Sequence, residues 1–304
     1  MSDRVYRPAT LLVHQGRDRD PATGAATIPI YQASTYHHPG GEPGEYDYAR
    51  CGNPSRDQVE EAIALLEGGV RGFAFASGMA ATGSALSLLQ SGDHLLACND
   101  LYGGSWRYLT NVLPQQGINV TFVDTTDLQA VEAAITDTTR GLLVETPGNP
   151  LLGVSDLEQL GEICRRHEML FIVDNTFLTP ALQMPISFGA DVVVHSATKY
   201  LGGHSDLCAG VLVAKDAELG ERLYMLQNAT GAILPPQECW LLIRSLKTLP
   251  LRVQRHCETA LTVARWLERH PKVEKVFYPG LENHPGHELS QKQAENFCGM
   301  HSFR

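Results

Sequence analysis

No run of lysine or arginine occurs anywhere in this 304-residue sequence, and its formal net charge is -10. Both facts exclude a surface built for nucleic acid or anionic lipid, and leave small molecules as the expected partners. No Cys-x-x-Cys pair occurs either. The seven cysteines (Cys51, Cys98, Cys164, Cys208, Cys239, Cys257 and Cys298) are scattered and odd in number, which argues against a disulfide framework and against a zinc ribbon. They read as core thiols of a cytosolic protein. No apolar run approaches the ~18 residues of a membrane span, and the opening MSDRVYRPAT lacks the apolar segment of a secretory signal, so a soluble, cytoplasmic protein is expected. A fixed-period repeat is also missing. What remains is an ordinary globular composition, 43% hydrophobic and 19% charged, large enough for one big core and a smaller domain.

Seven short apolar runs are present: GFAFAS (72–77), HLLACN (94–99), NVTFVD (119–124), GLLVET (141–146), LFIVDN (170–175), DVVVHS (191–196) and GVLVAK (210–215). Nearly continuous apolar runs suit strands covered on both faces, the signature of a parallel sheet. Between them lie helix signals. Ser155-Asp156-Leu157-Glu158 and Thr126-Asp127-Leu128-Gln129 fit capping boxes, while Asn53-Pro54, then Val59, Ile63 and Leu66, then Gly68-Gly69 mark a start, a buried face and a stop. Residues 1–50, rich in Pro, Gly, Tyr and Thr, read as an arm that embraces a partner. Residues 51–248 form the expected main domain. PPQECWLLIRSLKTLPLRVQRHCETALTVARWLERHP (235–271) reads as a long helical stretch broken at Pro250, and VEKVFYP after it as the first strand of a further domain, placed from 249 onward.

In open parallel sheets, ligands gather at the carboxyl ends of the strands. Ser77-Gly78-Met79 follows a strand and opens a helix of small residues, whose free N–H groups and dipole suit a phosphate; a plain turn capped by Ser77 reads equally well. Asp174 ends LFIVD, where a carboxylate is costly unless a cationic group meets it, although a turn or cap is the plainer reading. Ser196, Thr198 and Lys199 put two hydroxyls and an amine in one exit loop; a surface lysine is the bland alternative. Together these ends supply what pyridoxal phosphate needs. An amine can condense with the aldehyde, a carboxylate can keep the pyridine nitrogen protonated, and helix-end N–H groups with hydroxyls can hold the phosphate. A desolvated Lys199 would also be ready to move protons.

At this point the chain resembles the Cys/Met-metabolism, or transsulfuration, family of fold-type I pyridoxal phosphate enzymes. The resemblance runs through IPIYQASTY (28–36), YDYARCGNPSRDQVEEAIALLEGG (46–69), FASGMAA (75–81), DLYGGSWR (100–107), VETPGNP (144–150), VDNTF (173–177) and HSATKYLGGHSD (195–206). It implies an α/β fold with a mostly parallel seven-stranded sheet, helices on both faces, an N-terminal arm and a C-terminal α/β small domain. It further implies that Lys199 carries the cofactor, Asp174 meets the ring nitrogen and Tyr102 stacks on the ring near the reacting carbon. Gly78 and Met79, with Ser196 and Thr198, would hold the phosphate; Thr176 would flank the ring and Asn149 the substrate. Tyr48 and Arg50 would reach the neighbouring subunit's phosphate, making a homodimer the smallest complete unit, commonly paired into a homotetramer.

The implied chemistry is elimination from a thioether amino acid such as cystathionine. Lys199 takes the Cα proton, and Tyr102 is placed to protonate a leaving sulfur. Sulfur on Cβ leaves directly, giving homocysteine, pyruvate and ammonia from cystathionine; sulfur on Cγ needs a second proton removed from Cβ, giving cysteine, 2-oxobutyrate and ammonia. Methionine γ-lyases place a cysteine two residues after the stacking tyrosine, where this chain has Gly104. YGGSWR and QNATGAILPPQECWLLIRSLKTL look most like bacterial cystathionine lyases, with cystathionine γ-synthase the alternative. The family continues into an R-x-S-V-G-like stretch whose arginine grips the substrate carboxylate, whereas this sequence ends at FCGMHSFR. That raises a reading of another class, a truncated cofactor-binding remnant with little turnover. No metal is expected: His284 and His287 in NHPGHE lack a third placed ligand. His195 and His204 beside the lysine loop read as structural hydrogen-bonders.

Overall fold

The computed structural model describes residues 8–14, 20, 23–42 and 44–304. All seven apolar runs are strands of one sheet: β1 (Arg71–Phe75), β2 (His94–Cys98), β3 (Asn119–Val123), β4 (Thr139–Glu145), β5 (Leu170–Asp174), β6 (Val192–His195) and β7 (Gly210–Ala214). Their order is β1-β7-β6-β5-β4-β2-β3. Neighbours pair in parallel except that β7 runs antiparallel to both β1 and β6. Alternate side chains serve opposite cores. Leu142 and Val144, Phe171 and Val173, and Val193 pack into one helical layer, while Leu143, Ile172, Val192 and Val194 pack into the other. This two-sided burial is why the strands read as unbroken apolar runs. β3 departs from that expectation. As the edge strand it leaves Asn119 and Thr121 exposed, so only one of its faces is covered.

The helix Pro54–Glu67 begins and ends where the sequence indicates: the Asn53 side chain accepts from the Ser55 N–H, and Gly68 takes the left-handed conformation at φ 74°. Two other starts slip by one residue. The helix Leu157–Arg166 is capped by Asp156 and the helix Leu128–Ala134 by Asp127, not by Ser155 or Thr126. In each case an aspartate one position later is itself a strong cap, and Ser155 is diverted to a 2.7 Å hydrogen bond with Thr125. The long helical stretch breaks at Lys247-Thr248, between the helices Pro236–Leu246 and Leu249–Glu268. Pro250 lies in the first turn of the second helix, where its missing N–H costs nothing.

Within the N-terminal region, the helix Pro8–His14 buries Leu12 in the main core, and Thr35 bridges to Tyr48. Residues 1–7, 15–19, 21–22 and 43 of the expected arm lie outside the described residues. VEKVFYP contributes β8 (Val276–Phe277), which pairs antiparallel with β9 (Ser302–Phe303) apart from the main sheet. Among the described residues no helix is long and apolar enough to cross a membrane.

Candidate active site

The antiparallel insertion of β7 shapes the rim of the sheet. Because β7 runs the other way, its first residue Gly210 lies opposite Phe75, the last residue of β1, and Val211 lies opposite His195, the last of β6. The segments leaving β1, β5 and β6 therefore emerge side by side. They enclose a cavity of about 210 Å³ lined by Ser77, Gly78, Met79, Tyr102, Asn149, Asp174, Thr176, Ser196, Thr198 and Lys199.

The helix Gly78–Leu86 starts at this cavity. Ser77 caps it by accepting from the Ala80 N–H at 3.1 Å, which leaves the first-turn N–H groups of Gly78 and Met79 without an intrahelical acceptor. Both alternatives weighed for Ser77 thus hold together: it is a cap, and its helix end lines the cavity. Gly78 is a close approach. A Cβ there would lie 2.9 Å from Ser196 Cβ and 3.0 Å from Ser196 Cα and Oγ, so the helix end and the β6 exit touch only because the side chain is absent.

Across the cavity, Thr176 donates from its N–H (3.0 Å) and its hydroxyl (2.5 Å) to Asp174 Oδ1, and accepts from the Ser196 N–H at 2.8 Å. Burial pushes the Asp174 carboxyl above its ordinary range, opposed by the Thr176 hydrogen bonds and by nearby His195. Oδ1 is taken; Asp174 Oδ2 and the Ser196 hydroxyl have no protein partner among the described residues. Thr198 differs. Its hydroxyl is occupied by both the carbonyl and the N–H of Ala209, so its single proton is spent on the loop. Lys199 lines the cavity and is exposed, so the desolvation inferred from sequence is not found.

Tyr102, 50% exposed, immediately precedes the helix Gly103–Asn111 without a side-chain capping bond and donates its N–H to Glu145 Oε2 at 2.8 Å. Sequence reasoning missed Glu145. It ends GLLVE as Asp174 ends LFIVD, so the signal that singled out one carboxylate was present for the other. Burial first, and then the Asp174 carboxylate, push the Glu145 carboxyl well above its usual range. Cys208, read from sequence as a core thiol, is instead exposed and lines the cavity.

Tyr48 and Arg50 do not line this cavity. The Arg50 guanidinium lies over the Tyr48 ring, 5.3 Å from its centroid, and donates to Asn228 O and Oδ1 at 2.5 and 2.6 Å. His204 bonds its own loop, Nδ1 to Gly202 O at 2.7 Å. His284 holds the Gly286 N–H at 3.0 Å and His287 meets Pro279 O at 2.8 Å, the turn roles given to that pair.

The donor set fits pyridoxal phosphate. Two first-turn N–H groups and a free hydroxyl suit a dianionic phosphate, a carboxylate with one open oxygen suits a ring N–H, and a primary amine faces the same space. The comparisons with known proteins agree. The Cys/Met metabolism PLP-dependent enzyme family matches residues 9–304. A cystathionine beta-lyase of Lactococcus lactis subsp. cremoris is 49% identical over 295 residues, covering 97% of this chain and 78% of that protein. A cystathionine gamma-synthase of Mycobacterium leprae is 50% identical over 299 residues, 97% of this chain and 77% of the relative. The crystal structure of cystathionine gamma-lyase from Lactobacillus plantarum complexed with L-serine superposes with a TM-score of 0.97 at 46% identity, over 98% of this chain and 78% of that one.

Proposed function

This chain belongs to the Cys/Met metabolism PLP-dependent enzyme family, and we propose that it is a carbon–sulfur lyase that cleaves cystathionine or a related thioether amino acid by β- or γ-elimination. The observation that carries this reading is the meeting of Lys199, Asp174 and the Gly78 helix end in one cavity. Pyridoxal phosphate, when bound, supplies an electron sink for the carbon bearing the substrate's amino group.

This chain's own residues do the rest. Gly78 and Met79 N–H groups and the Ser196 hydroxyl bind the phosphate. Asp174 Oδ2 accepts from the ring nitrogen while Thr176 holds the other oxygen, flanking the ring. Lys199 Nζ would hold the cofactor and, once the substrate's amino group has displaced it, would take the proton from substrate Cα; where sulfur sits on Cγ it would pass that proton on before taking a second from Cβ. Tyr102 stacks on the ring and protonates the departing sulfur; Asn149 lines the substrate side. Thr198 is a phosphate ligand only if it gives up its bond to Ala209.

Tyr48 and Arg50, outside their own chain's cavity, serve the partner subunit's phosphate in a homodimer, with pairing into a homotetramer, in the cytoplasm. The chain divides into an arm (1–50), the cofactor-binding domain (51–248) and a C-terminal unit from 249. What supports the last boundary is that β8 and β9 pair with each other and not with the main sheet.

Purified protein given cystathionine yields pyruvate by β-elimination or 2-oxobutyrate by γ-elimination, and borohydride fixes the cofactor to Lys199 but not to Lys199→Arg. A colourless protein that added pyridoxal phosphate leaves unchanged overturns the reading. The kinship with cystathionine gamma-synthases favours γ-replacement as the second reading; cystathionine formed from cysteine and an activated homoserine, with no keto acid, would establish it.

A further inference from the structure

Beneath the cavity lies a polar group that the chemistry above does not use. Glu67 ends the helix Pro54–Glu67, and its side chain and that of His195 are wholly excluded from solvent. Glu67 Oε1 accepts from His195 Nε2 at 2.6 Å and from Asn175 Nδ2 at 2.9 Å. Asn175 is further tied to Gln183 by its amide group, Nδ2 to Gln183 O at 2.8 Å and Oδ1 from Gln183 Nε2 at 3.2 Å. Glu67 Oε2 and His195 Nδ1 have no hydrogen-bond partner among the described residues. Burying an acid with an imidazole and leaving one atom of each unpaired is a poor way to stabilise a core, so stability alone does not account for the pair.

Its neighbours in sequence do. Asn175 directly follows Asp174, and His195 directly precedes Ser196. The Ser196 N–H binds Thr176 Oγ1, which donates to Asp174 Oδ1, so both routes out of Glu67 end on one carboxylate. We propose that Glu67 is a positioning residue that holds Asp174, through Asn175 on one side and through His195, Ser196 and Thr176 on the other, with Oδ2 turned to the cofactor's ring nitrogen. The proposal rests on the role given to Asp174 under the proposed function.

The test is a double-mutant cycle on Glu67→Gln and Asp174→Asn, reading the dissociation constant of pyridoxal phosphate for the apo-protein, the visible band of the bound cofactor, and thermal melting of the apo form. Glu67→Gln is expected to melt cooperatively, weaken the cofactor by on the order of tenfold, as loss of an outer-shell partner does at metal sites, and shift the band. In the Asp174→Asn background the same change is expected to add less than about twofold. Equal losses in both backgrounds, or no loss in either, overturn the proposal. If Asp174→Asn alone leaves affinity and band unchanged, the role of Asp174 falls and this proposal with it. Should Glu67→Gln not fold, His195→Leu and His195→Gln decide. Only the latter keeps an N–H for Glu67, so recovery of the wild-type band by His195→Gln alone supports positioning. Identical bands in the two, or failure of every variant to fold, makes the pair structural and overturns it.

Discussion

Replacing Gly78 by alanine tests the architecture of the phosphate end. The new methyl would fall 2.9 Å from Ser196 Cβ and 3.0 Å from its Cα and Oγ, against the ~3.5–4.0 Å of comfortable carbon contacts. Neither side can yield alone. The Ser196 N–H is held by Thr176 and His195 is paired across β7, while a Cβ on Gly210 would itself lie 2.8 Å from Gly78 Cα. Overpacking of this kind costs about 1–3 kcal/mol, partly offset by alanine's helix preference of up to about 1 kcal/mol. The expected net loss is about 1–2 kcal/mol, or a fall in Tm of ~2–3 °C for a chain of this size. The methyl also displaces the Ser196 hydroxyl. A hydrogen bond to a charged group is worth about 1.5–3 kcal/mol, so cofactor affinity should drop roughly 10- to 150-fold. Melting curves of the apo-protein and absorbance titrations with pyridoxal phosphate measure the two effects separately. Ser196→Ala provides the control, reproducing most of the affinity loss with little change in Tm. A Gly78→Ala protein that melts and binds cofactor like the wild type would refute the close approach as the reason for glycine.

Gly104 makes the opposite case: a Cβ there would run into the Tyr102 ring at Cε1, with Cδ1 and Cζ at 3.0 Å, but that half-exposed ring can swing away, so Gly104→Ala should hold or raise Tm while lowering kcat, and an unchanged kcat would detach the ring from catalysis. Glu145 predicts a pH effect. Its carboxyl is raised in the folded state, so between the ordinary carboxylate range and the raised value the native protein binds more protons than the unfolded chain, and stability falls as pH climbs through that window. Glu145→Gln removes this loss, so in urea melts the variant should fare better relative to wild type at pH 8 than at pH 5; equal differences at both would count against it. Arg50→Ala should weaken cofactor retention by about 1.5–3 kcal/mol, and mixing it with Lys199→Ala should restore activity through hybrid dimers; mixed dimers with no recovery would end the shared-site idea.

The strands were legible because a sheet covered on both faces writes itself as apolar runs, and the rim residues because each run ends in a polar residue that the pattern does not require. Asp174, Lys199 and the Ser77 turn stand out for that reason. The caps at Asp127 and Asp156 were missed by one position because adjacent Thr or Ser and Asp compete for the same role; preference leaves Ser155 and Asp156 unranked, whereas at Thr126-Asp127 it favours the aspartate that the structure uses. Exposure of Lys199 and the engagement of Thr198 with Ala209 were invisible for a different reason: both depend on where β7 returns. The Glu67–His195 pair was out of reach altogether, since its partners come from separate segments and no local pattern joins them.

The reversed direction of β7 also bears on the order in which the site comes into being. β6, the loop bearing Lys199 and β7 form one wide hairpin, closed by neighbours in sequence and able to assemble with a small loss of chain entropy. β1, which brings the helix end at Gly78, joins that hairpin by pairing Arg71–Phe75 along Gly210–Ala214, contacts between distant parts of the chain of the kind that form slowly. The amine and the Ser196 hydroxyl therefore belong to a local unit, and the Gly78 and Met79 N–H groups to a remote one. A cofactor that needs both would find its full seat only where β1 has paired with β7.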